Sequence, residues 1–184
     1  MIDDLWEKMS KDPAAAGFVF KKISPPSPDE ENMKKSRKLC EENLCGAYGV
    51  TWGCPPGVGT ENECLQRMKC FSNAAVLMKR YENIDLSERD IIKKYAAEFQ
   101  DMSRRFSNVL RKDGYKVLPL SDGGCSYCGE CSYPDGPCRF PDQLVPSISS
   151  YGISMEEYMG SQNIDFEFAE GTMTLYAIIL YNNP

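Results

Sequence analysis

Apolar residues recur at three- and four-residue intervals across residues 87–112: Ile91, Ile92, Tyr95, Phe99, Met102, Phe106, Val109 and Leu110. This spacing predicts one long amphipathic helix. Ser87 with Asp90 has the form of a cap at its start, and Gly114 supplies the stop. On either side, AAVLMKRY at 74–81 and YKVLPL at 115–120 read as strands. A strand–helix–strand unit favours parallel strands joined by a right-handed crossover, with ligand loops at the strand's carboxyl end.

The remaining elements are shorter. Ile2, Leu5, Trp6 and Met9 share one face of a helix over 2–10, and GFVFKKI at 17–23 predicts a strand. SPPSP at 24–28 breaks structure, and Ser27 or Asp29 is the candidate cap of a helix over 29–39 that delivers Cys40. ENECLQRMKC at 61–70 predicts another helix, and 141–160 short helical turns. Phe166–Phe168 and Met173–Tyr181 predict a hairpin around Glu170-Gly171. The sum is an α/β or α+β chain, a small sheet packed on one long helix with cysteine-rich loops at one end. One domain is expected over 1–184, with an N-terminal extension (1–28), a cysteine-rich core (35–155) and the C-terminal hairpin (160–184).

Charge and composition narrow the function. A net charge of −6 does not favour nucleic acid or an anionic membrane. The basic pairs Lys34-Lys35, Arg37-Lys38 and Arg104-Arg105 are short and read as solvated helix faces. No apolar stretch approaches the ~18 residues of a membrane span, and the N-terminus lacks a secretory core, so a cytoplasmic location is expected. Thiols stay reduced there, and nine cysteines, an odd number, do not make a full disulfide framework.

Those cysteines carry the chemistry. Cys125, Cys128, Cys131 and Cys138 stand in GGCSYCGECSYPDGPCRFP, three thiols at two-residue gaps and a fourth after six. Glycine and proline between them let the backbone curl around a compact inorganic core. Bacterial ferredoxins bind cubane clusters with a similar run, whose last gap is three residues. Cys40, Cys45 and Cys54 form a second set, interleaved with Tyr48 and Trp52. The chain has no histidine, which excludes mixed Cys/His zinc sites and an imidazole base. A zinc ribbon wants two Cys-x2-Cys pairs separated by a loop of roughly 15–20 residues, so the run fits a cluster better than one tetrahedral ion. No radical S-adenosylmethionine signature is present, Gly57-Val58-Gly59 is no phosphate loop, and Asp122 and Glu130 read as solvated loop positions.

Together these motifs resemble a family of uncharacterised predicted metal-binding proteins, found mostly in anaerobic bacteria and archaea. The resemblance rests on Cys40, Cys45, Tyr48-Gly49, Trp52 and Cys54-Pro55-Pro56, then the Cys125–Cys138 run, Pro141, Pro146-Ser147 and Tyr151-Gly152-Ile153. It covers about residues 35–155 and implies iron–sulfur binding through Cys40, Cys45, Cys54, Cys125, Cys128, Cys131 and Cys138. It implies no reaction, and it gives Cys64 and Cys70 no ligand role.

Seven matched cysteines do not fill two four-ligand clusters. Either Cys64, Cys70 or a non-cysteine ligand completes the second site, or one iron lacks a protein ligand, or all seven surround a single site. The leading expectation is one or two [4Fe–4S] clusters passing electrons to or from a redox partner protein, with Trp52, Tyr48 and Tyr127 limiting solvent access. The alternatives are an enzyme whose open iron acts on a small substrate, and a structural zinc protein with four cysteine ligands.

Overall fold

The computed structural model describes residues 1–166 and 169–184. Four strands, β1 (Phe18–Ile23), β2 (Asn73–Glu82), β3 (Lys116–Ser121) and β4 (Thr172–Asn182), form one sheet in the order β1-β2-β4-β3. Every neighbouring pair is antiparallel. β2 and β3 therefore point the same way, as a strand–helix–strand unit would place them, but β4 lies between them instead of a direct parallel pairing. The reason is in β4 itself. Residues 175–181 are buried without a break, and a strand apolar on both faces belongs at the centre of a covered sheet. The first arm of the expected C-terminal hairpin falls partly on residues 167–168, outside the described residues; Phe166 lies outside any strand, and β4 takes its partners from β2 and β3.

Helices cover both faces. α1 (Ile2–Met9) and α4 (Arg89–Lys112) pack one side, where Phe99, Met102, Phe106 and Leu110 meet Ala75, Leu77, Ala177 and Ile179. α2 (Glu30–Glu41), α3 (Glu61–Lys69) and α5 (Met155–Ser161) cover the other, where Met33, Leu65, Met68 and Met159 meet Val76, Ile178 and Leu180. The alternation of odd and even residues along β2 and β4 assigns each side chain to one of these cores. The caps differ in part from expectation. Asp29 caps α2 by accepting from Asn32 N–H at 2.8 Å, and Thr60 with Glu63 forms a capping box on α3. Ser87 does not cap α4; its hydroxyl binds Asp85 at 2.6 Å. Gly114 does end that helix, with φ of 87°.

The cysteine loops gather at one end of this frame. The chain leaves β3 at Ser121 directly into the 125–138 run, and α2 ends at Glu41, one residue past Cys40. Gly152 seats α2: with φ of 67°, it approaches so closely that a Cβ there would lie 2.6 Å from Met33 Cα. Among the described residues no helix is long and apolar enough to cross a membrane.

Candidate metal centre

The late set is held from below by α4. Gln100, fully buried, donates through Nε2 to the carbonyls of Asp122 at 3.0 Å and Gly124 at 2.9 Å. Its Oε1 accepts from the Ser126 N–H at 3.1 Å and hydroxyl at 2.9 Å. One amide thus splints both sides of Cys125. Beyond it, Cys125, Cys128, Cys131 and Cys138 line one small recess together with Trp52, Tyr127, Phe140 and Leu144. All four thiols are free and partly buried. The Trp52 indole N–H donates to Gly136 O at 3.1 Å, and its ring meets Tyr133 edge-on at 5.0 Å, so a residue of the early loop walls the late site. Tyr127 and Phe140 pack edge-to-face at 5.2 Å at the rim, where both remain exposed.

The early set is assembled from separate pieces. Cys40 ends α2 half-buried, Cys45 is exposed in the turn that follows, and Cys54 is buried. Burial pushes the Cys40 and Cys54 thiols up from their ordinary range. Cys45 pushes both further, Cys40 adds to the effect at Cys54, and the hydroxyls of Ser147 and Thr51 pull Cys54 back. A serine cluster borders Cys40: Ser149 Oγ lies 3.9 Å from Cys40 Sγ and 3.3 Å from Ser147 Oγ, and Ser147 Oγ binds Ser150 Oγ.

The two sets meet back to back. A Cβ on Gly53 would come within 2.9 Å of Cys125 Cβ, and one on Gly124 within 3.3 Å of Cys54 Sγ. Only a residue without a side chain lets Gly53-Cys54 and Gly124-Cys125 pass so closely. Residues 146–148 lock the junction: Ser121 N–H donates to Pro146 O at 3.0 Å, and Ser147 N–H to Gly53 O at 2.9 Å.

Two arginines overturn the reading of their segments as solvated faces. Among the described residues, Arg37 and Arg104 are the buried charged side chains, and neither forms an ion pair with a carboxylate. Arg104 donates to Gln143 O and Gln100 Oε1, each at 3.0 Å, lies over the Tyr127 ring at 5.2 Å, and brings Nη2 to 4.0 Å from Cys125 Sγ. Arg37 sits one helical turn before Cys40, and its charge pulls that thiol down against burial. Its Nη2 contacts Cys64 Sγ at 3.1 Å, and its buried Nε has no partner among the described residues. Sequence reading missed both because an arginine in a basic pair on an amphipathic helix looks like surface. Their i, i+3 and i, i+4 relation to Cys40 and Gln100 was the available signal.

Other candidates separate cleanly. Cys64 is fully buried between Arg37 and Arg67 Nη2, the latter at 3.5 Å, and burial raises its thiol while the two guanidiniums lower it. Cys70 is at the far end of the sheet, its carbonyl accepting from Asn182 Nδ2 at 2.7 Å. Asn182 pairs with Lys116, five residues before Ser121, which is about 17 Å at about 3.4 Å per residue. Among the described residues, neither thiol contacts a cysteine of either set. Asp122 is not a solvated loop residue: its Oδ2 accepts from Tyr176 N–H at 2.7 Å, and burial pushes its carboxyl up to about 6. Tyr48 does not wall the late recess. It lines an open one beside the early set, with Arg37, Glu41, Pro55, Thr60 and Glu61.

Among the described residues, no three Cys, Asp or Glu side chains close up tightly enough to hold a single metal ion. What the structure presents is a recess with four thiols, three more thiols behind it, a buried guanidinium 4.0 Å from Cys125 and another one helical turn before Cys40. That defines a cysteine-rich mixed α/β protein with two thiol sets side by side. Over residues 30–181 the chain matches the family described as Predicted metal-binding protein (DUF2284), and it belongs to that family. No curated protein and no solved structure matches it.

Proposed function

We propose that this chain is an iron–sulfur protein that holds [4Fe–4S] clusters on its two cysteine sets and passes single electrons to or from a partner protein. The observation that carries the reading is the pair of buried arginines. A cation removed from water costs several kcal/mol unless an anion compensates it, and here no carboxylate does. Metal-bound thiolates carry net negative charge and would supply the missing partner at both places. The two-residue gaps between Cys125, Cys128 and Cys131 suit a cluster better than zinc. Tetrahedral zinc at about 2.3 Å from each sulfur brings thiolates within about 3.8 Å of one another. A cluster keeps them farther apart because iron and sulfide stand between them.

When bound, such a cluster accepts and returns one electron. The chain's own residues would do the rest. Cys125, Cys128, Cys131 and Cys138 would hold one group, and Cys40, Cys45 and Cys54 the other. Trp52 and Leu144 keep water from the late recess, and the Arg104 charge favours the reduced state there. The Gly53/Gly124 junction puts the two sets side by side, as a relay requires. With a net charge of −6, a basic partner surface is the natural complement.

The open recess at Arg37, Tyr48, Glu41 and Glu61 supports a second reading, in which the early set acts on a small polar substrate. That reading requires a coordination position left free.

Anaerobic purification followed by iron, zinc and acid-labile sulfide analysis, with electron paramagnetic resonance before and after dithionite, tests the proposal. About eight irons and eight sulfides per chain are expected for two cubanes. About four would demote one set, and zinc without sulfide would overturn the reading.

A further inference from the structure

The early set has three thiols where a four-iron group takes four protein donors. The two spare cysteines have no contact with the set among the described residues: the Cys64 thiol meets Val58 O and the Arg37 and Arg67 guanidiniums, and Cys70 is at the far end of the sheet. No carboxylate joins two of these thiols in a tight group among the described residues. The hydroxyl that does reach the set comes from the other half of the chain. Ser149 Oγ lies 3.9 Å from Cys40 Sγ.

We infer that Ser149 supplies the fourth protein donor to the group held by Cys40, Cys45 and Cys54. This rests on the cluster reading above. Ser149 and its neighbour Ser147 divide the available roles. Ser147 is buried and engaged: its Oγ accepts from Ser150 N–H at 3.2 Å and binds the Ser150 hydroxyl. It also sits against Cys54. Ser149 is exposed, and its Oγ contacts only the Ser147 hydroxyl and the Cys40 thiol among the described residues. Its backbone is fixed, because Ser149 O accepts from the Ser36 hydroxyl at 2.7 Å, one turn before Cys40 on α2. Ser149 O also accepts from Gly152 N–H at 3.0 Å. The side chain thus has a free oxygen on an anchored backbone at the edge of the thiol set. On binding, the hydroxyl proton leaves to solvent, to which Ser149 is open, and oxygen replaces it with a bond to metal; no electron is transferred.

The test compares the anaerobically purified native chain with Ser149→Ala and Ser149→Cys, reading iron and sulfide content and the paramagnetic spectrum of the reduced protein with and without cyanide. Ser149 is exposed, so both variants retain the core. The native spectrum is expected to ignore cyanide. Ser149→Ala should gain a cyanide-dependent signal and lose about one iron per chain on mild oxidation, and Ser149→Cys should restore cyanide insensitivity. A native protein that already binds cyanide overturns the inference in favour of an open position. So does Ser149→Ala that shifts the midpoint potential but keeps the native spectrum and cyanide insensitivity, which is the behaviour of a mere hydrogen-bond partner of Cys40. Failure of the underlying reading looks different. If the native chain contains no sulfide, or Cys40→Ala loses no iron, the early set holds no cluster and both claims fall together. A Ser149→Ala variant matching a native protein with about eight irons overturns the Ser149 assignment alone.

Discussion

The late cysteine set comes from a single loop, whereas the early set is a product of assembly. Cys125, Cys128, Cys131 and Cys138 come from one loop, leave β3 together and line one recess. Cys40, Cys45 and Cys54 come from a helix end, the turn after it and a separate loop, and their serine neighbours lie about a hundred residues away. A local run needs only a turn-rich backbone to gather its thiols. A dispersed set needs α2, the 146–152 segment and the glycine junction all in place. The comparison teaches that the two sets differ in what can break them: the late one through its own thiols, the early one through packing at a distance.

Removing a late ligand should have the largest effect. Cys128→Ala is expected to eliminate that group, roughly halving iron and sulfide from about eight to about four per chain. Unchanged iron content and brown colour in this variant would show that the run is not a ligand set. Gly152→Ala attacks the early set without touching a ligand. Positive φ and a Cβ 2.6 Å from Met33 Cα force α2 off its seat, at a cost of about 2–4 kcal/mol in denaturant unfolding. Iron loss in this variant should be confined to the early set, and equal loss from both sets would erase the distinction.

Arg104→Met sharpens the comparison from the electrostatic side. A unit charge about 8 Å from a cluster centre contributes about 2 kcal/mol at an effective dielectric of ~20. For a one-electron couple that is roughly 90 mV. A redox titration should show the late site's midpoint falling by about that amount, with a smaller fall at the early site. In the metal-free protein the same change should be neutral or stabilising to chemical denaturation, because a buried unpaired cation has been removed. The smallest effect belongs to Trp52→Phe, which deletes the bond to Gly136 O while keeping an aromatic wall. About 1 kcal/mol of stability should be lost, with a faster decay of the late cluster's absorbance in air.

Much of the frame was legible in the chain. The periodicity of Phe99, Met102, Phe106 and Leu110 names the face of α4 that packs on the sheet. The Pro-rich break and Asp29 mark where α2 begins. The strand order was not legible. Pairing β4 between β2 and β3 depends on burying both faces of one strand, a property of the whole layer stack. Arg37 and Arg104 were misread for a related reason, since a charged side chain on a helix reads as surface until the helix is placed against a loop that excludes water.

The sequence by itself determined the donor inventory: closely spaced thiols, no imidazole, and turn residues that let one loop curl. Those are properties of composition and local backbone freedom, which need no distant partner. The tertiary structure alone decided that the two sets adjoin through Gly53 and Gly124, that Cys64 and Cys70 stand apart, and that each set has a buried guanidinium. It also brought Ser149 to Cys40. Such contacts join residues far apart in the chain, and only the packing of helices and loops on the sheet brings them within reach of one another.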